Sequence, residues 1–468
     1  MEVIRRKFAS RAGADKESMR RGIDAALKVK LWRISRNALR TLATVALMCW
    51  AQPGITQSAA YLEALSRMNA APSDPEASFR FATIAAQEND FRGAIAALER
   101  ILIINPQLDN IKLELGLLQL RAGSPGLGAE LIRDAMRAPD IPPDVRARAQ
   151  EFLDVAEAQA QPFSFQGSVV AGVGHDSNAN SGPGEPFTIG NFILSPDSVG
   201  QADTSALLQV QGALRFDLGV QAGHKLALDG SYTGRRFTEQ SGLNLDRFAL
   251  SPGIDFNLSQ IFGRRAELAL RLDGARYWRG GADYLTELGG SAALRFVIDE
   301  RSSAQMTGFI LDQDFKATPG TPGETTRDGD LAGASLRFDR SFSDKVSGYF
   351  SLGYADKSAN AAFERFDEVS VTAGMAVSVA SPFSFIKDPW VLTLNGRVAQ
   401  RGYDAPDPVI NAAASRSDTS YGLTAGANIG LATNTSLALE IGHTRQQSNY
   451  PTNDFKNVSG SVRLTHRF

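Results

Sequence analysis

Residues 417–448 read SDTSYGLTAGANIGLATNTSLALEIGHTRQQS, and their alternation decides the fold. Tyr421, Leu423, Ala425, Ala427 and Ile429 interleave with Gly422, Thr424, Gly426 and Asn428. After a short turn at Ala432–Asn434, Leu437, Leu439 and Ile441 interleave with Ser436 and Glu440. A period of two is the mark of a β-strand, whose successive side chains point to opposite faces. In a soluble sandwich the outward face is polar and the inward face packs. Here the second face carries Gly, Ser, Thr and charged residues over long runs, as in a barrel with lipid outside and a wet lumen inside.

The same alternation extends from Pro162 to the final Phe468; Ala266, Leu268, Leu270 and Leu272, for example, interleave with Glu267, Arg271 and Asp273. Strands are predicted at 163–176, 204–218, 224–236, 246–258, 265–279, 285–299, 302–315, 329–342, 345–358, 366–380, 390–403, 417–431, 435–448 and 455–468. About fourteen strands satisfies the even count of bacterial outer-membrane barrels. Connections alternate in length. Short turns fall at Val220–Gly223, Ser259–Gly263, Glu300–Arg301 and Ser343–Asp344, and longer loops at Ser177–Asp203, Lys316–Asp328, Ala359–Glu364 and Ala405–Arg416. Periplasmic turns are short and extracellular loops long, so strand one rises from the periplasm. The exception is Ser381–Pro389, whose aromatic run PFSFIKDPW suits an interface girdle. Val462, Leu464 and the terminal Phe468 form the alternating, aromatic-ended strand that serves as a barrel C-terminal signal.

Residues 59–160 read differently. Ala, Leu, Glu and Arg dominate, and Phe91, Ala94, Ile95, Leu98, Ile101 and Leu102 recur at helical spacing. A period of about 34 residues relates Ala94, Leu98 and Ile101 to Gly128, Ile132 and Ala135. Pro106 and Pro139 end the two copies, and Leu115-Gly116 supplies the small-residue pair that lets antiparallel helices approach. The stretch resembles tetratricopeptide repeats; the alternative is a generic helical hairpin bundle. Either array presents a groove to peptides or proteins.

Residues 1–58 read as an N-terminal extension and signal peptide. Lys28, Lys30, Arg33, Arg36 and Arg40 precede the apolar run Leu39–Trp50, and small residues follow at Thr56, Ser58, Ala59 and Ala60. That order is secretory, and the apolar run is too short for a membrane span. The single cysteine, Cys49, lies in this run and leaves with it on cleavage. A lone thiol excludes a disulfide framework and a cysteine-based zinc site. Forty-nine basic residues against 51 acidic ones exclude a polybasic nucleic-acid binder.

Little points to covalent chemistry, and no cofactor or enzymatic activity is expected. The four histidines, His175, His224, His443 and His466, do not pair at metal-ligand spacing. Glu364 and Asp367 read as solvated loop ends. One string is more specific: residues 174–180, Gly-His-Asp-Ser-Asn-Ala-Asn, at the outer end of strand one. His175 and Ser177 share a strand face, which makes them a candidate base and nucleophile and resembles outer-membrane lipid hydrolases. The competing reading makes Asp176, Ser177, Asn178 and Asn180 a turn as the chain leaves the membrane.

The whole order is a signal, tetratricopeptide-like helices, and a barrel (161–468) that opens with Gly172, Asp176, Ser177, Asn178 and Asn180. It resembles the surface lipoprotein assembly modulator (Slam) family. The resemblance implies an outer-membrane factor that carries client lipoproteins or secreted haem-binding proteins to the cell surface. The helices would bind the client in the periplasm and the barrel would provide the route. Outer-membrane lipids and the barrel assembly machinery are the other expected partners, and nucleic acid is not. Lumen charges such as Arg215, Asp217, Asp229, Arg271, Asp273 and Arg397 would tune passage. A polysaccharide exporter is the runner-up, since such proteins also join helical repeats to a barrel.

Overall fold

The computed structural model describes residues 58–468 except 139–140, 160–161, 187, 190–191, 194–197, 220–222, 318–322 and 384–387. The expected signal segment with Cys49, the position of Pro139 and part of the PFSFIKDPW run therefore lie outside the described residues.

Among the described residues six helices come first: α1 (Ala59–Ala70), α2 (Pro75–Gln87), α3 (Phe91–Ile104), α4 (Asp109–Arg121), α5 (Pro125–Ala135) and α6 (Pro143–Gln159). Their starts are written locally. Ser58, Asp74 and Asp90 each accept a backbone N–H at an N-cap, and Pro75 and Pro125 open their helices. Asn89, at φ 63°, makes the left-handed link between α2 and α3.

The helical core is built from small and branched residues. Ala82, Ala85, Ala94, Leu98, Ile101 and Leu115 are buried together, and Ala129, Ile132, Ala149, Leu153 and Ala156 form a second cluster. At the α4–α5 crossing the backbones nearly touch. A Cβ on Gly116 would lie 2.7 Å from Ile132 Cγ1 and 3.0 Å from Gly128 O, and one on Gly128 would lie 2.9 Å from Gly116 O. The small-residue pattern thus sets the interhelix distance. Pro106 lies in the turn between α3 and α4.

Fourteen strands follow: β1 (Phe163–Asp176), β2 (Asp203–Asp217), β3 (Lys225–Phe237), β4 (Leu245–Asn257), β5 (Ala266–Arg279), β6 (Ala282–Asp299) and β7 (Ser302–Phe315). Then come β8 (Gly329–Ser341), β9 (Val346–Lys357), β10 (Phe366–Val379), β11 (Trp390–Tyr403), β12 (Ser417–Ala432), β13 (Thr435–Ser448) and β14 (Phe455–Arg467). Each pairs with its chain neighbour and β14 pairs antiparallel with β1, so the sheet closes without an edge.

Every expected strand is present, with bounds shifted by at most three residues. The largest shift is at β6, because Gly280 and Gly281 (φ 58° and 83°) form a two-residue hairpin turn that lets pairing start at Ala282. The small elements that escape the alternation include a two-strand ribbon, Thr188–Ile189 with Phe192–Ile193, a one-turn helix, Ser259–Phe262, and short 3-10 turns in the loops. Asp367 is corrected from a loop end to a β10 residue.

The outer surface is apolar. Leu272 and Ile441 are 69% and 61% exposed, and Val173, Leu208, Leu288 and Leu423 also point outward. Water would not tolerate so continuous a belt, whereas hydrocarbon requires it. Phe163, Phe216, Phe342 and Phe468 ring the helical end of the barrel. Among the described residues, no helix is long and apolar enough to cross a membrane. A closed, apolar-belted barrel whose strands run 12 to 18 residues is an outer-membrane fold.

Candidate functional site

The Asp-Ser-Asn string closes the barrel. The paired register of β1 and β14 ends at Asp176 and Ser459, and one further backbone bond runs from Ser177 N to Val458 O at 2.9 Å. Beyond it, side chains take over. Ser177 Oγ accepts from Val458 N at 2.8 Å and donates to Asn457 Oδ1 at 3.2 Å. Asn178 donates from its backbone N to Asn457 Oδ1 at 3.0 Å and from Nδ2 to Lys456 O at 3.1 Å. Asn457 Nδ2 donates to Asp176 Oδ1 at 2.8 Å, and Arg235 holds the other oxygen of Asp176 from β3. The string also folds the first long loop. Asn178 bonds Gly182 in both directions, at 2.8 and 3.0 Å, and Asn180 donates to Val199 O at 2.8 Å and accepts from Gln201 N at 2.9 Å. Gly172 is held small by β14: a Cβ there would meet Val462 O at 2.7 Å.

His175 and Ser177 line one surface depression, but among the described residues their hydrogen bonds go to different partners. His175 Nδ1 lies 3.0 Å from Thr204 Oγ1 on β2, while the Ser177 hydroxyl is engaged by β14. Ser177→Ala should lower barrel stability by about 1 kcal/mol, the usual net worth of such bonds. The shift would be read as a lower temperature for loss of the compact band on electrophoresis. Lipid hydrolysis lost at unchanged barrel stability would restore the catalytic reading.

At the opposite end the helices dock on the barrel. Asn257, the last residue of β4, donates from Nδ2 to Ala122 O at 3.2 Å and Gly123 O at 3.0 Å, the free carbonyls at the end of α4. Asn257 N in turn donates to His224 Nδ1 at 3.2 Å. Gly223 (φ 70°) lets the β2–β3 turn approach, since a Cβ there would lie 2.7 Å from Gly123 O. Within the helices, Tyr61 OH donates to Asp90 Oδ2 at 2.7 Å, and burial together with that carboxylate pushes the phenol up. Lys112 bridges Asp109 and Asp134 at 3.0 and 2.9 Å; its bond to Asp134 raises the ammonium and lowers that carboxyl.

Alternate helices line a groove of about 350 Å³. Phe79 and Thr83 come from α2, Leu117 and Arg121 from α4, and Phe152 from α6. The repeat-packing residues Ala94, Leu98, Ile101 and Leu115 are buried behind it, with Leu98 also reaching its wall.

The lumen is lined with polar and charged side chains, and many of its charges are paired. Near the helical end, Arg215 and Arg271 both bridge Asp229 and Asp255, at 2.6 to 2.8 Å. Asp273 accepts from Ser251 Oγ at 2.6 Å, and Asp217 Oδ1 accepts from Gly219 N at 2.9 Å. Arg397 and Arg401 share Glu368 at 2.7 and 2.6 Å. A second chain crosses the wall farther out: Arg247 donates to Tyr277 OH (2.9 Å), Tyr277 to Glu287 (2.8 Å), Gln313 to Glu287 (2.7 Å) and Lys357 to Gln313 (2.9 Å). Glu364 is corrected here. It is half-buried in the wall of the outer vestibule, and burial pushes its carboxyl up.

Sequence reasoning missed Asn257 and Asn457, both polar residues at strand ends like many others. Register alone could have found Asn457. Once β1 and β14 are paired through Asp176 and Ser459, Asn178 falls opposite it.

No family model matches the chain, and no curated protein matches it. Solved structures similar to it include a bacterial polysaccharide outer membrane secretin, at 10% identity over 65% of this chain and 98% of that one, with a TM-score of 0.33. The outer membrane channel DcaP of Acinetobacter baumannii matches at 10% identity over 65% and 97%, with a TM-score of 0.38. An outer membrane channel from Pseudomonas putida F1 matches at 13% identity over 64% and 96%, with a TM-score of 0.34.

Proposed function

We propose that this chain delivers client proteins, lipoproteins or secreted haem-binding proteins, across the outer membrane to the cell surface. The observation that carries the reading is the helical array fixed by Asn257 to the short-turn mouth of the barrel. Loop lengths support a periplasmic position for that mouth and for the helices. The groove between α2, α4 and α6 then receives an extended client segment in the manner of a tetratricopeptide array. The lumen or the β1–β14 wall gives the route. Val462, Leu464 and Phe468 address the chain to the barrel assembly machinery. Phe468 is built into the seam, exchanging backbone bonds with Gly167 at 2.7 and 3.0 Å.

Phe79 is an exposed groove residue, so its replacement leaves the helical core intact. Phe79→Glu combined with Thr83→Arg should cut surface-exposed client at least tenfold, scored by protease shaving of intact cells, with barrel assembly unchanged. If display is unaffected both by this pair and by removal of residues 59–159, the helices do not receive the client. If instead an exported polysaccharide falls and surface proteins do not, the exporter reading replaces this one.

A further inference from the structure

The outer half of the lumen opens into a vestibule of about 1200 Å³, roofed by the first loop through Asn180, Ser181 and Gly182. Five basic residues line it, Arg279, Arg327, Lys357, Arg401 and Arg416, against two acidic ones, Glu324 and Glu364. Three of the cations are neutralised: Arg327 by Glu324 at 2.9 Å, Arg401 by Glu368 at 2.6 Å and Arg416 by Asp418 at 2.6 Å.

The other two are not. Among the described residues, neither Arg279 nor Lys357 has a carboxylate within 4.0 Å. Lys357 is the more telling, because its side chain is buried and its Nζ donates only to neutral oxygens, Gln313 Oε1 at 2.9 Å and Gly329 O at 3.1 Å. An ammonium has three donors, of which these bonds use two, and the nearby carboxylates of Asp312, Asp328 and Asp330 act on it without making a direct ion pair. Both cations flank one aromatic pair. Tyr284 and Phe315 meet edge to face at 5.7 Å; Arg279 lies 5.7 Å from the Tyr284 ring, and Lys357 lies 5.5 Å from the Phe315 ring. Arg327 also covers the buried Phe315 ring, at 4.5 Å, so the half-buried Tyr284 ring offers the apolar surface beside the cations.

We propose that this vestibule is a binding site for an organic anion bearing carboxylate or phosphate, with Lys357 and Arg279 as the groups that recognise its charge. The ligand supplies the direct anionic contact that both cations lack, through charge-assisted hydrogen bonds, and its carbon frame lies against the half-buried Tyr284 ring. The cavity exceeds the usual small-molecule range of about 300–1,000 Å³, so it admits an extended solute. The site does not depend on client delivery.

The test is calorimetric titration of the full-length chain in detergent with glucuronate, glucose 6-phosphate and glucose. At least one acid should bind, glucose should not, and the stronger acid identifies carboxylate or phosphate as the preferred group. Lys357→Gln and Arg279→Gln should each weaken that binding at least fivefold. Arg236→Gln, whose partner Asp246 is not in the vestibule wall, should leave it unchanged. Arg279 is exposed, so its variant reports on binding even if the Lys357 variant fails to fold. Equal binding of glucose, no binding of either acid, or wild-type affinity in Arg279→Gln would overturn the assignment.

Discussion

Arg271→Met should destabilise the barrel by about 3 kcal/mol, the low end for breaking a buried ion pair from one side. The guanidinium reaches Asp229 at 2.8 Å and Asp255 at 2.6 Å, and it also donates to Ile254 O and Leu270 O at 3.2 and 3.0 Å. The Arg271 and Asp255 side chains are only 11% and 9% exposed, so water cannot replace the lost partner at Asp255. Arg215 remains on both acids and limits the loss. The effect should also reach the helices. Asp255 lies two residues before Asn257 on the same face of β4, so the network holds the strand end that carries the docking amide. Urea unfolding followed by tryptophan fluorescence would show a lower midpoint, and Arg271→Lys would recover less than half of it because an ammonium cannot span both acids in plane. An unchanged midpoint in Arg271→Met would mean that the network contributes no stability.

The second large effect falls in the helices. Gly116→Val should cost about 3 kcal/mol, the upper range for overpacking, because the α4–α5 crossing has no room. The clash is with the Gly128 carbonyl and the Ile132 side chain and backbone, and backbone cannot rotate away. Amide exchange in α4 and α5 should accelerate by about two orders of magnitude, as the energy implies, while the barrel keeps its compact electrophoretic band. Equal protection in the variant and the parent would show that the contact is not limiting.

How legible each part was follows from the range of the interactions involved. The barrel was legible because lipid and lumen impose a period of two on every strand, as Tyr421–Ile429 shows. The helical pairing was legible at Gly116 and Gly128, since close approach demands small residues at fixed spacing. The Asp-Ser-Asn string was legible as a turn but not as a latch, since its partners Asn457 and Val458 lie some 280 residues away. The hydrogen bonding does not support the catalytic alternative at His175 and Ser177, because Thr204 engages the His175 ring while Asn457 and Val458 engage the Ser177 hydroxyl. The vestibule was invisible for the same reason. Arg279 and Tyr284 flank one hairpin turn while Phe315 and Lys357 lie 31 and 73 residues beyond Tyr284, and only the pairing of successive strands collects them.

Protein delivery to the surface is tested most directly by shaving intact cells with protease. Cells with this chain deleted should be compared with cells restored by the full chain and by a chain lacking residues 59–159. On deletion at least one surface protein should become protease-resistant while its total amount is kept. The full chain should restore shaving and the helix-less chain should not. An unchanged set of shaved proteins in the deletion strain would contradict it.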